Sequence, residues 1–479
     1  MNSISLRKRS LIILSILALI MVMCGGGTAD EETTEEVVEE TVVETLDSPA
    51  VTTARSYGDG FTSEPCPEAI GDYPTGADPS KGCIYLGLLN DYTGPYAAAG
   101  LPVEIGIRSY WAWFNQNGCF DEFCVAVMPG ADTAYNPQQH LEAYNSIRDQ
   151  AAGLALSLGT PQTLFILDEL DKDDMIAAPL SWYSGWSFDN VDKGLIIEFG
   201  STYCADGMNA VDWMLDSLPA NIETIGIMGG QDDYGLDWAA GVKTAAEARG
   251  LEVKWEYYGP PGQFDVTQAV TLLVTQPVDA YFPATSPGNM AQVAGGAAQK
   301  GVIPITMMAT PSYSGQFVVE GSPVKALMES GAFYVSSVFA PYAGQTAGHE
   351  KMRNVLLASG IESTSVYIVA GWASQQHISS ALAVAVKGDL TRKGVRLAAN
   401  GVPVSSDGMF PSKVLGSNTQ TPVSVITRPN GEAAGGTDIL QTDYTGPTGQ
   451  GYNWSSGPCS EKSSSRYNEP VFNRLFIFF

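Results

Sequence analysis

Apolar positions along this chain fall into short continuous runs separated by stretches with helical spacing, and the pattern is written twice. The first copy opens with Cys83-Ile84-Tyr85-Leu86-Gly87-Leu88-Leu89. It turns through Asp91-Tyr92-Thr93-Gly94-Pro95-Tyr96 and enters a helix-like stretch ending at Asn117-Gly118. The second opens with Thr224-Ile225-Gly226-Ile227-Met228, turns through Asp232-Asp233-Tyr234-Gly235, and ends its helix at Arg249-Gly250. Each copy continues with a short strand (Val125-Ala126-Val127-Met128; Val253-Lys254-Trp255-Glu256) and another helix. Each then gives a third strand with a small-residue loop, at 156–161 and 281–286. The fourth pair is the most alike: Ala178-Pro179-Leu180-Ser181-Trp182-Tyr183-Ser184-Gly185 against Met308-Ala309-Thr310-Pro311-Ser312-Tyr313-Ser314-Gly315. Short apolar runs bounded by turn residues read as buried strands. Strands alternating with helices dictate parallel sheets with helices on both faces.

The expected fold class is α/β: two Rossmann-like lobes with parallel sheets, facing one cleft and joined by three interlobe crossings near 200–207, 330–342 and 405–425. The run 195–199 is expected as a buried strand closing the first lobe. A β-rich run at 332–339 lies where the chain returns. Helices at 349–359 and 367–386 are expected to pack back on the first lobe. The division is then 1–23, a signal peptide; 24–47, a lipid anchor and acidic tether; 48–81, an entry segment; 82–203 with 343–404, lobe I; 204–342 with 405–430, lobe II; and 431–479, a C-terminal extension.

Composition agrees with a folded body: 479 residues, 44% hydrophobic and 16% charged, too many for one ordinary core and too apolar for disorder. The formal charge of −27 repels nucleic acid and anionic lipid headgroups. Arg7-Lys8-Arg9 followed by the apolar run 11–23 matches the charged and apolar regions of a signal peptide. That run is shorter than the ~20 residues a membrane-spanning helix needs. Cys24-Gly25-Gly26-Gly27 follows, resembling a bacterial lipoprotein cleavage site, although Met23 stands where a small residue is usual. A cut after Gly27-Thr28-Ala29 is the competing reading. The acidic tract 30–47 has no basic residue and reads as an extended, self-repelling tether.

Seven cysteines less an acylated Cys24 leave six, an even number suited to an exported chain. More than one pairing is open. The elements favour Cys119 with Cys124 across a hairpin, Cys66 with Cys83 stapling the entry segment, and Cys204 with Cys459 tying back the C-terminus; free buried thiols are the alternative.

The order of features from 84 to 425 resembles the type I periplasmic binding proteins of ABC importers, specifically the branched-chain amino-acid (leucine/isoleucine/valine) binding group. The residues that carry the resemblance are Tyr92-Thr93-Gly94-Pro95, the helix end Asn115-Gln116-Asn117-Gly118, Ala131-Asp132-Thr133 with Pro137, Leu158-Gly159-Thr160, Ala178-Pro179 and Asp233-Tyr234-Gly235, together with the helix at 367–386. The resemblance implies two lobes that close over a small solute without chemistry. Gly159 and Thr160 would grip a ligand carboxylate, in keeping with the affinity of a helix N-terminus for anions. Ser181 and Tyr183 match the next binding loop, and Tyr234 an aromatic from the second lobe. Thr93, Gly94 and Tyr96 in the first turn, and Ser286 and Ser312 in the second lobe, complete the expected contacts. Two departures stand out. The second-lobe loop Thr310-Pro311-Ser312-Tyr313 has no acid to pair with a ligand ammonium, and Ala99 replaces an expected aromatic, leaving a pocket walled by Trp182, Tyr183 and Trp186.

The resemblance implies a small-molecule solute, most simply an amino acid or related carboxylate, delivered to an ABC permease and its ATPase. The protein would be a monomer touching the membrane through its lipid anchor only, without cofactor or metal. A sensor module using the same cleft, or a binder of an amide, urea-type or aromatic solute, is the alternative. An enzyme is disfavoured: His140, His349 and His377 are the only histidines, none in a paired metal-ligand spacing. No Gly-x-Ser-x-Gly elbow, phosphate-binding loop or His-Glu-x-x-His helix occurs.

Overall fold

A computed structural model describes residues 57–260, 263–416 and 421–459. The expected signal peptide, Cys24 and the expected acidic tether lie outside the described residues, as does the stretch 475–479. Two separate sheets form. In the first, Gly82–Asn90 is central: Phe123–Val127 and Ala131–Asp132 run parallel along one edge. Gly153–Leu158 pairs parallel on the other edge, followed by Ala177–Leu180. The short strand Phe61–Thr62 joins antiparallel at Ile84 and Cys83. The second sheet has the order Glu252–Gly259, Thr224–Gly230, Ala280–Ala284, Ile305–Ala309, Phe333–Ser337, Ser424–Pro429, Thr437–Tyr444. Its first five strands are parallel and its last two antiparallel. The fold is therefore the two-lobed α/β architecture with parallel sheets that the repeat predicts.

Helices form where capping chemistry and apolar spacing coincide. Asn136 accepts from the amides of Gln138 and Gln139, with Pro137 next in the chain, at the start of Pro137–Ile147. Asp232 caps Asp233–Arg249 through Gly235 N at 2.8 Å, and Gly250 ends that helix with φ 74°. In each lobe one helix pair approaches backbone to backbone, because glycines face each other across the seam. A Cβ on Gly106 would lie 2.2 Å from Ile368 O, and one on Gly371 2.1 Å from Val103 O, between Ala97–Gln116 and Val366–Ala385. Gly241 and Gly207 do the same between Asp233–Arg249 and Tyr203–Ser217, with a Cβ on Gly241 only 1.9 Å from Cys204 O. Trp111, Trp238 and Trp372 are fully buried around these seams, each large apolar side chain contributing roughly 1.5–3 kcal/mol.

Some details differ from expectation. The run at 195–199 makes only a single parallel bridge, Ile196 to Ala177, because the chain bends out of the sheet at Gly200, φ 75°. The second sheet also continues beyond residue 430: Thr437–Tyr444, read from sequence as part of the C-terminal extension, pairs with Ser424–Pro429. The helices Ala347–Ala358 and Val366–Ala385 pack on the first lobe. Three disulfides form, Cys66–Cys83, Cys119–Cys124 and Cys204–Cys459. Among the described residues no helix is long and apolar enough to cross a membrane.

Candidate functional site

Open parallel sheets bind ligands beyond the carboxyl ends of their strands, and here those ends face a shared cleft. The turn 159–160 follows Gly153–Leu158 directly. Gly159 adopts φ 103°, and a Cβ there would lie 2.1 Å from Gln162 Oε1, so only glycine fits. Thr160–Lys172 then begins; Thr163 N donates to Gly159 O at 3.1 Å and Pro161 has no N–H, so the amides of Thr160 and Gln162 are those of the first turn without an intrahelical acceptor. Thr160 Oγ1 meets Ser181 Oγ at 2.7 Å, and Ser181 also accepts from Trp186 Nε1 at 3.0 Å. Behind the turn a buried chain of hydroxyls holds it in place. Thr163 Oγ1 donates to Gly159 O at 2.8 Å and lies 2.8 Å from Ser157 Oγ, which is 2.9 Å from His140 Nε2. Burial pushes His140 down to about 3, so its imidazole is neutral.

The turn opens onto a narrow cavity between the lobes. Tyr96, Ala99, Tyr135, Leu158, Gly159, Thr160, Leu180 and Trp182 line it from the first lobe side, with Tyr367 from the helix packed there. Tyr203 contributes from the first crossing, and Tyr234 and Pro311 from the second lobe. Tyr96 and Tyr135 stand 4.5 Å apart, Tyr203 and Tyr234 4.6 Å. Desolvation holds all these tyrosines un-ionised, well above their ordinary range. No charged side chain is in the lining among the described residues. Asp232 is close enough to raise Tyr96, Tyr135 and Tyr203 electrostatically. Burial pushes it up to about 6.

Of the residues read from sequence, the structure brings Tyr96, Gly159, Thr160, Trp182 and Tyr234 into this lining, with Ser181 one hydrogen bond behind Thr160. Ser312 lies behind Tyr234, its Oγ 3.0 Å from the phenol oxygen and accepting from Thr285 N. Thr93 and Gly94 stay at the rim outside the lining, bonded to Asp132 and Asp91. Ser286 caps the helix Pro287–Gln299. Tyr183 and Trp186 pack edge to face on each other away from the cleft. Tyr135, Tyr203 and Tyr367 were not singled out in the sequence. Their signals were an aromatic just after Ala131-Asp132-Thr133, one at a crossing, and one at the first turn of a recognised helix.

The family model described as periplasmic binding protein matches residues 83–443. No curated protein matches the chain. Among solved structures, the chain is similar to a fatty acid ABC transporter substrate-binding protein from Thermomonospora curvata. The two are 25% identical, with 83% of this chain and 96% of that one covered at TM-score 0.72. A substrate-binding protein from Aeropyrum pernix is 16% identical, with 80% and 99% covered at TM-score 0.67. A branched-chain amino-acid ABC transporter protein from Thermus thermophilus with bound valine is 15% identical, with 77% and 98% covered at TM-score 0.64. The chain belongs to the periplasmic binding protein family, the extracytoplasmic proteins that bind a small solute for an ABC transporter.

Proposed function

We propose that the solute is a small carboxylate with an apolar body, its carboxylate seated on the 159–163 turn and its body against the tyrosines and Trp182. One observation carries this: the first turn of Thr160–Lys172 faces a cavity whose lining holds no charged side chain. An anion there is stabilised by N–H groups, the Thr160 hydroxyl and the helix dipole, while the rest of the ligand meets aromatic and aliphatic surface. The similar Thermomonospora curvata protein, which its name assigns to fatty acids, supports an apolar body. A second reading, an α-amino acid, rests on Asp232, a carboxyl close enough to act electrostatically on Tyr96, Tyr135 and Tyr203 and so to take up an ammonium.

A thermal-shift screen separates them. It pairs amino acids with the matching acids lacking the amine, and adds amides, urea, dicarboxylates and sugars. A ligand at 100 times its Kd stabilises by about 2.7 kcal/mol. Monocarboxylates are expected to raise the melting temperature with or without the amine. Stabilisation by amino acids alone, abolished in Asp232→Asn, establishes the second reading; stabilisation only by sugars or amides overturns both. We further propose that Cys24 carries a lipid anchor, on the sequence 7–27. Mass spectrometry of membrane-extracted protein should find a lipid-modified N-terminal cysteine, and an unmodified N-terminus at Asp30 excludes it.

A further inference from the structure

The Gly159–Thr160 peptide follows a glycine with φ 103° and ψ 141°. With no Cβ, that residue lets the plane of the next peptide rotate more freely than any other would, so what fixes the plane must lie elsewhere. It lies behind the turn. Gly159 O accepts from Thr163 N at 3.1 Å and from Thr163 Oγ1 at 2.8 Å. In a trans peptide the N–H points opposite to the C=O. Thr160 N–H is therefore turned the other way, out of the helix start, where Gly159 and Thr160 line the cavity. Thr163 has one hydroxyl proton, and Gly159 O competes for it with Ser157 Oγ at 2.8 Å and Ser157 O at 3.1 Å.

His140 decides that competition. Its Nε2 lies 2.9 Å from Ser157 Oγ, while its Nδ1 has no partner. His140, Ser157 and Thr163 are all fully buried. A proton on Nδ1 would be a donor orphaned in the interior, the rarer kind of unpaired polar group, so the neutral ring carries its proton on Nε2. Nε2–H then donates to Ser157 Oγ, and Ser157 O–H donates to Thr163 Oγ1. The Thr163 proton is left for the carbonyls, of which Gly159 O is the nearer. We infer that His140, which is outside the cleft lining, is a positioning residue for the solute. Through Ser157 and Thr163 it pins the Gly159–Thr160 peptide with its N–H toward the cleft. The turn then favours a group that only accepts hydrogen bonds, a carboxylate, over one that carries protons. The inference rests on the carboxylate reading of the cleft and adds the residue that enforces it.

The test is calorimetric titration of the full chain with a monocarboxylate that binds and with its primary amide, in which an amino group replaces one acceptor oxygen. Thermal melts verify that each variant is folded. His140→Met removes the donor and Ser157→Ala interrupts the chain. Each should cut affinity for the carboxylate about tenfold and affinity for the amide less, so that the ratio of the two falls. His140→Gln, whose side-chain amide can place an N–H where Nε2 stands, should restore the ratio. The double variant should lose no more than either single one, because both break one chain. NMR of the imidazole nitrogens in the unsubstituted protein should place the His140 proton on Nε2; should His140→Met not fold, this spectrum and Ser157→Ala decide. A proton on Nδ1, an unchanged ratio, a ratio that His140→Gln fails to restore, or losses that add in the double variant overturn the inference while the carboxylate reading stands. If no carboxylate binds the unsubstituted protein, that reading has failed and the positioning role falls with it.

Discussion

Thr160 and Asp206 show how single buried groups set separate properties of this protein. The Thr160 hydroxyl is fixed by Ser181 at 2.7 Å at the start of the helix that faces the cleft. Thr160→Val keeps the shape and removes the charge-assisted hydrogen bond proposed above, so affinity for the proposed carboxylate should fall about ten- to a hundredfold. Thr160→Ser should retain most of it; calorimetry with the best ligand of the screen reads both, and equal losses contradict the assignment. Asp206 is fully buried, with Ser336 Oγ and Ser424 Oγ donating to Oδ1 at 2.6 and 2.5 Å and Oδ2 unpartnered. Desolvation raises it from its ordinary 3.8 to about 7. A raised carboxyl binds more protons folded than unfolded, so its contribution is full below about 4 and declines as pH rises to about 7. His140, His349 and His377, pushed down to about 3, 4 and 3 by burial, act in the opposite sense, their contribution being lost as pH falls below about 6.5. The prediction is therefore differential. The unfolding free energy of the unsubstituted protein minus that of Asp206→Asn should fall between about pH 4 and 7 and then level off. A difference that rises over that window would falsify the burial argument.

At the level of elements, the two lobes meet directly beside the cleft. Ser184, in the short 3-10 helix Ser184–Ser187 of the first lobe, donates from N and Oγ to Asp237 of Asp233–Arg249, at 2.8 and 2.6 Å. The same hydroxyl lies 2.9 Å from the carbonyl of Cys459, which the disulfide ties to Cys204 at the start of Tyr203–Ser217. The C-terminal segment is thereby held at the seam between the lobes. Hydrogen bonds made across the seam favour the arrangement in which the lobes touch. Ser184→Ala should therefore weaken solute binding several-fold by faster dissociation, with little change in association, as read by stopped-flow fluorescence. The Cys204→Ser, Cys459→Ser pair should act in the same direction. Unchanged dissociation in both would show that the seam contributes nothing to closure.

For the whole molecule, the three crossings converge on one side chain. Asp206 follows the first crossing, Ser336 precedes the second and Ser424 follows the third, so these hydrogen bonds knit the hinge on the second-lobe side. Closure over a solute requires contacts from both lobes, and Thr160 and Tyr234 line the cavity from the two sides. Small-angle scattering is expected to show a smaller radius of gyration at saturating ligand than without it. Equal radii would rule out closure while leaving binding intact.

The repeat of strand, loop and helix makes two parallel sheets legible from the chain alone, because apolar period and turn chemistry are local properties. The glycine turn at 159 and the helix at 366–385 were legible for the same reason. Which aromatics face the cleft was not. Trp182 and Tyr183 are adjacent just after the strand Ala177–Leu180, with Tyr183 extended, and successive side chains of extended backbone point to opposite faces. Trp182 lines the cleft while Tyr183 packs on Trp186 away from it, and sequence carries no mark of which face is which. Tyr135, Tyr203 and Tyr367 reach the same space from a loop, a crossing and a distant helix, so only tertiary packing brings them together. The strand Thr437–Tyr444 is stabilised by an edge that Ser424–Pro429 presents, and its own residues read as a tail. Local chemistry determined the elements and the glycine turn at 159; long-range packing decided the walls of the cleft and the seam between the lobes.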